Sequence, residues 1–224
     1  VAHKKEQLEL FFAMYLFSGR PKYGDLSSSL QKDVKLHFGS VRTIEENAKN
    51  LLFSLGNEDL IFTAAREAEK NNLGRLEEAK FIFLSRKLPE LPIRLRGIIN
   101  IAERLSGKIE DANLIRIHID TKKVSYLCVD DLENEVLPKI TKRTIVDLRQ
   151  QSVRNFEHLT AGHEKVLYQK SKFMDGSEKH FKTQKAFDDL LAKELDFDFL
   201  VEGPRYKEFM LALAKRKISP PSCI

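Results

Sequence analysis

The sequence predicts an α+β fold: an N-terminal helical bundle packed with a small antiparallel sheet, and helices again at the C-terminal end. Two changes of period carry that prediction. In successive segments between about residue 4 and residue 68, and again from Pro89 to Leu105, apolar residues recur every three or four positions, as on one face of successive helices. From Asn113 the period drops to two. Leu114, Arg116, His118 and Asp120 alternate with Ile115, Ile117 and Ile119; past Asp120-Thr-Lys-Lys123, Val124, Tyr126 and Cys128 alternate with Ser125, Leu127 and Val129. Alternation on both sides of a short polar turn reads as a β-hairpin with one apolar and one charged face. Helical spacing returns from Glu178.

Each element follows from local signals. Residues 4–17 put Leu8, Phe11, Phe12, Tyr15 and Leu16 at helical spacing, closed by Ser18-Gly19 and blocked by Pro21. Residues 27–38 read as a second helix, with Leu30, Val34 and Phe38 on one stripe and Gly39 as C-cap. Thr43-x-x-Glu46 has the form of a capping box for a third helix through Ile44, Ala48, Leu51, Leu52 and Leu55. Asn57 is placed to cap a fourth helix through Ala68. Pro89 and Pro92 open a fifth, with Leu91, Leu95, Ile98, Ile99, Ala102 and Leu105 inward. After the hairpin, residues 141–149 read as a third strand and residues 165–168 as a further extended segment. Residues 178–195 and about 204–214 are helical, through Phe181, Phe187, Leu191, Phe209 and Leu213. The chain thus divides into a helical bundle, 1–106, and a sheet with C-terminal helices, 107–224, as two units or as one continuous domain.

Composition narrows the function classes. The 224 residues are 42% hydrophobic, enough for a real core, and 32% charged with a net charge of +5 and a pI near 9.1. That mild basic bias permits nucleic acid without demanding it. Trp is absent and Phe numbers fifteen, so Phe carries most of the aromatic burial. Cys128 in the hairpin and Cys223 in the tail make neither a disulfide framework nor a metal pair, which suggests a reducing compartment. With no long apolar run and no signal peptide, a cytoplasmic protein with no membrane contact is expected. Val1 in place of an initiator Met suggests an excised or processed piece.

Several clusters could carry chemistry, each with a plain structural alternative. The hairpin's charged face of Arg116, His118, Asp120 and Lys122, with Lys123 beside it, could grip a phosphate backbone. The alternative is the wet face that any one-sided antiparallel sheet has. Asp111, Asp120 and Lys122 invite a metal-dependent nuclease, in which carboxylates hold Mg²⁺ and a lysine orients water. Asp and Thr are also ordinary turn formers, and Asp33-Val-Lys35 repeats the short Asp-x-Lys pattern inside a helix. His158 and His163 bracket a loop containing Gly162, a spacing that suits a surface loop better than a metal site. Arg20-Pro-Lys22 and Arg94-Leu-Arg96 are further basic clusters. Arg94 and Arg96 should point away from the Leu91/Leu95/Ile98 stripe, to solvent, to DNA or to acids in salt bridges.

One resemblance runs through the chain. In the order Leu16-Phe-Ser-Gly-Arg-Pro-Lys22, His37-Phe-Gly-Ser40, Leu51-Leu-Phe-Ser-Leu-Gly56, Leu88-Pro-Glu-Leu-Pro92, Ala112-Asn-Leu-Ile-Arg-Ile-His118, Val124-Ser-Tyr-Leu127 and Val146-Asp-Leu-Arg149, it resembles the C-terminal region of the bacterial DNA phosphorothioation-associated methyltransferases. The similarity covers about residues 10–190 and rests on segment order, since no segment is a catalytic signature. The resemblance implies a part of an enzyme encoded beside systems that exchange a non-bridging phosphate oxygen of DNA for sulfur. It also adds His163 and Lys165 to the contact set, because the family has a histidine in a polar-basic segment there. Two departures stand out: Glu164-Lys165 reverses the family's Lys-Glu order, and the last thirty-odd residues match weakly.

Family members carry an S-adenosylmethionine domain ahead of this region, and that domain is absent from this chain. A methyl-donor site of the usual kind needs a Gly-x-Gly turn, and the ten glycines are never closer than Gly19 and Gly24. Ser219-Pro-Pro-Ser222 has the prolines of a base-holding loop but lacks its aromatic residue. The chain alone is therefore expected to bind no cofactor and to methylate nothing. The leading expectation is a non-catalytic DNA- or partner-binding domain of a phosphorothioation-linked modification or restriction enzyme in bacterial defence, with DNA and other DNA-modification proteins as partners. Its contacts would be Arg116, His118, Lys122, Lys123, Arg20, Lys22, Arg94, Arg96, His163 and Lys165. The alternatives are the nuclease and a protein-interaction scaffold, whose sign would be exposed Leu/Phe patches.

Overall fold

Helix ends in the bundle are set by short-range chemistry. The computed structural model describes residues 2–19, 23–158, 164–174, 176–199 and 203–221. Helix α1 spans Ala2–Phe17 and α2 spans Ser28–Phe38. Ser27 caps α2 by accepting from the Leu30 N–H at 3.3 Å, and Gly39 closes it at φ 74, a conformation that favours glycine. Helix α3, Val41–Leu55, begins one turn earlier than the Thr43-x-x-Glu46 pattern predicts. Ser40 is the residue that caps it, accepting from the Thr43 N–H at 3.1 Å, and Glu46 instead pairs with Arg42 on the helix surface. Asn57 caps α4, Glu58–Lys70, through the Leu60 N–H at 3.2 Å. Helix α5, Ile93–Ser106, starts after Pro92, while Pro89 lies in a short 3₁₀ turn before it.

The fold is α+β, and its sheet is antiparallel throughout. Strands β1 (Arg75–Glu77), β2 (Lys80–Leu84), β3 (Leu114–His118), β4 (Lys123–Val129), β5 (Lys139–Asp147) and β6 (Ser152–Glu157) pair in chain order. A two-residue strand β7, Lys165–Val166, pairs with the start of β5. Helix α5 fills the connection between β2 and β3, so the sheet takes strands from both sides of residue 107. The β3–β4 hairpin pairs as the sequence predicts, from Leu114 opposite Leu127 to His118 opposite Lys123. Helices α6, Phe181–Glu194, and α7, Tyr206–Arg216, complete the chain.

Both sheet faces are covered, though unequally. The inner face presents Phe81, Phe83, Ile115, Ile117, Val124, Tyr126 and Val146 to the bundle, in one apolar cluster with Leu8, Ile44, Ile61 and Leu95. The outer face carries Ile82, Leu84, Leu114, Leu127, Val129 and Ile140 in a smaller cluster beneath Leu167 and Phe173. A third cluster joins α6 and α7 through Phe187, Leu191, Phe209 and Leu213, with Tyr168 among them. Each large side chain so buried contributes roughly 1.5–3 kcal/mol. Among the described residues no helix is long and apolar enough to cross a membrane.

Gly74, between α4 and β1, lies hard against the sheet. A Cβ there would sit 2.6 Å from Phe81 Cζ and 2.7 Å from the Ile82 carbonyl oxygen. The second neighbour is main chain within β2 and cannot give way cheaply. Gly74→Ala should therefore lower unfolding free energy by about 1–3 kcal/mol, as overpacking does. Urea denaturation checks this; a midpoint unchanged from wild type would contradict it.

Candidate functional site

Strand register places a polar group in the middle of the outer face. Cross-strand partners share a face, and so do residues two apart along a strand. One row across the sheet reads Lys80, His118, Lys123, Asp147; the next reads Ile82, Arg116, Ser125, Ile145; the third reads Leu84, Leu114, Leu127, Arg143. Arg116, His118, Ser125 and Arg143 thus meet on the central strands. Ser125 is fully buried, its Oγ 3.1 Å from His118 Nε2, and Arg143 donates to the same oxygen at 3.3 Å. Burial, then the charges of Arg116, Arg143 and Lys80, depress His118 from its ordinary 6.5 to about 4; Asp120 opposes them weakly. His118 is consequently neutral at pH 7. Towards the β1 edge, Arg75 pairs with Glu77 at 3.1 Å, and burial raises the Glu77 carboxyl against the pull of Arg75, Lys172 and Arg116.

Beside this group opens a cleft of about 510 Å³ between the outer face and the segments leading into β7 and α7. Among the described residues its polar wall is Arg116, Arg143, His158, Glu164, Lys165 and Arg205, four cations and one carboxylate. Its apolar wall includes Leu127, Ile140, Val166, Tyr168 and Tyr206. His158 arrives because its N–H extends the β6 ladder by donating to Thr141 O at 2.8 Å. Residues 203–205 are held in place by Tyr168, whose hydroxyl donates to Pro204 O at 3.0 Å. Gly203 is at φ +67, and a Cβ there would overlap the Tyr168 ring. Glycine therefore lets the main chain pass directly over the aromatic ring.

The expected contact residues scatter. Arg116, on the hairpin, and Lys165, on β7, line the cleft. The hairpin's charged face is not the single solvated surface its alternation suggests, because C-terminal segments cover much of it and leave Arg116 and His118 partly buried. Lys122 is at φ 54 and turns to Glu58 of α4 at 3.4 Å, while Lys123 pairs with buried Asp147 at 3.3 Å. Asp147 is held below the usual carboxylate range, chiefly by the Gln150 N–H. Arg94 donates to Ser54 Oγ at 3.2 Å. Arg96 is not exposed: it is 8% accessible and donates to Glu6 of α1, a structural pair between two helices. Arg20, Lys22 and His163 lie outside the described residues.

The nuclease set is not brought together. Asp111 precedes β3 and Asp120 follows it, so a five-residue strand separates them, roughly 16 Å at ~3.3 Å per residue. Asp120 accepts from the Thr121 N–H at 2.7 Å, as a turn former does. Among the described residues no group of three His, Cys, Asp or Glu side chains is arranged to hold a metal ion. For the scaffold reading, Leu36 and Phe53 stand 78% and 83% exposed on α2 and α3, and Leu211 stands 63% exposed on α7. Sequence reasoning missed Ser125, Arg143, Arg205 and Tyr206; only strand register and the path of the chain before α7 bring them to Arg116. Compared with known proteins, the chain matches no family model, no curated protein and no solved structure.

The depressed His118 gives a stability signature. The folded-state value of about 4 lies below the ordinary 6.5, so the unfolded chain takes up this proton first as pH falls. The site's full contribution is present above pH 6.5 and is lost progressively down to about pH 4. His118→Asn removes that loss, so the stability gap between wild type and variant should narrow from pH 7 to pH 4.5. Urea unfolding at three pH values measures the gap; a constant gap would mean that His118 titrates normally.

Proposed function

We propose that this chain is a DNA-binding domain that holds the phosphate backbone in the cleft beside β3 and β5, and so positions a DNA-modification enzyme or partner protein. The observation that carries this reading is the convergence of Arg116, Arg143, Lys165 and Arg205, from four separate segments, on one cleft. Lys and Arg neutralise phosphates and release counterions, which supplies affinity with little sequence information. The recessed arginines suit this role, because guanidinium meets phosphate through two parallel N–H donors and is weakly hydrated. The segment order shared with the phosphorothioation-associated methyltransferases supports DNA as the polyanion and bacterial DNA modification in the cytoplasm as the setting. In this reading the chain supplies placement, and the chemistry belongs to another domain or protein.

Titration of a labelled partial duplex with a single-stranded tail, at three salt concentrations, tests the reading. Affinity should fall with salt, and Arg143→Ala or Arg205→Ala should each weaken binding and flatten the log–log slope by about one unit per lost phosphate contact. Arg96→Met, which replaces a buried interhelical cation with an apolar side chain, should leave the slope unchanged. Absence of binding, or a wild-type slope in both cleft variants, would overturn the proposal.

A further inference from the structure

Resting on the reading of the cleft as a phosphate site, we infer that the group it receives is a single unpaired nucleotide, with the phosphate on the arginines and the sugar and base on the apolar wall. Three features point there. Arg116 and Arg143 come from central strands and are partly buried, with Gly203, Pro204 and the β7 segment beside them. Duplex phosphates lie along ridges flanking grooves about 6 and 12 Å wide, and such ridges meet cations on open or protruding surfaces. A recessed guanidinium is better reached by a group that projects from the strand.

The volume agrees. A cleft of about 510 Å³ is within the few-hundred-Å³ range of sites that enclose one small molecule, which a nucleotide is and a length of duplex is not. The wall chemistry agrees as well. Leu127, Ile140 and Val166 belong to the buried clusters, and where they line the cleft they give it an apolar side that suits a sugar edge and a base. Tyr206 is half-buried, packed on one side against the α6–α7 cluster, and lines the same cleft, so the exposed part of its ring is the stacking surface; Tyr168 is buried and serves to hold residues 203–205 in place. The ligand class is thus a nucleoside phosphate, supplied either by the unpaired end or extruded base of a nucleic acid or as a free nucleotide.

The experiment compares, with the full chain at one salt concentration, labelled single-stranded DNA, blunt duplex of equal length and the tailed duplex. Deoxynucleoside 5′-monophosphate and inorganic phosphate serve as competitors. Single-stranded and tailed DNA should bind at least tenfold more tightly than blunt duplex, and the monophosphate should displace them at lower concentration than phosphate does. Tyr206→Ala should remove about tenfold of that preference with the salt slope unchanged, and Tyr206→Phe should restore it. Arg205→Glu, at an exposed position that leaves the fold intact, should weaken every DNA. Equal binding of blunt and tailed DNA, with the monophosphate no better than phosphate, overturns this inference while the DNA-binding reading stands on its salt slopes. Competition-grade binding of the monophosphate with no DNA bound supports the pocket, identifies free nucleotide as the source and overturns the DNA reading. Failure of every ligand to bind overturns both.

Discussion

Everything on the outer side of the sheet depends on how far the C-terminal layer reaches across it. The bundle covers the inner face from Phe81 to Val146 and makes that side a continuous core. The outer layer is smaller. It seals the rows around Leu84, Leu114, Leu127 and Val129 and stops near Arg116 and Arg143. Sheet residues at that boundary are neither solvated nor packed among apolar groups. Polar side chains on central strands are tolerated there because they partner one another, as Ser125 does with His118 and Arg143.

That boundary sets the electrostatics. A cation withdrawn from water needs compensation, which Glu77 supplies to Arg75 towards the β1 edge. His118 avoids adding another charge by remaining neutral well below its ordinary range. In the proposed reading, an anion that reaches these partly buried arginines would be attracted more strongly than it would be at an open surface. Lys122 and Lys123 lie outside this arrangement, because Glu58 and Asp147 already engage them.

Legibility in the sequence tracks the range of the determining interaction. Ser27, Gly39 and Asn57 act within one helical turn, and the ends of α2 and α4 could be read directly. Strand β2 carries no period-two signal because Lys80-Phe-Ile-Phe-Leu84 is apolar on both faces, as a strand between two layers must be. Strand β6 lacks the signal for the opposite reason, being a largely exposed edge with weak pattern. Alternation in β3 correctly divided Ile115 and Ile117 from Arg116 and His118. Parity cannot tell whether a polar face meets water or a second layer of protein, and here it meets both. Helical spacing likewise placed Arg96 off the apolar stripe of α5, but α1 packs over that position and supplies Glu6. Arg205 depends on the Tyr168–Pro204 contact, which joins residues 36 positions apart.

The two layers also separate two kinds of surface. The cleft opens on the outer side of the sheet, between its central strands and the approach to α7. Leu36 and Phe53, exposed on α2 and α3, belong to the bundle on the inner side. In the proposed reading, a protein docked on the bundle and a polyanion in the cleft would meet different layers and would not compete for the same residues. The sheet between them is rigid, hydrogen-bonded strand by strand from β1 to β6. A partner fixed to the bundle would thus stand at a defined distance and orientation from a phosphate placed in the proposed cleft site. Such geometry suits a domain whose task is placement, because its precision comes from packed secondary structure and not from loops.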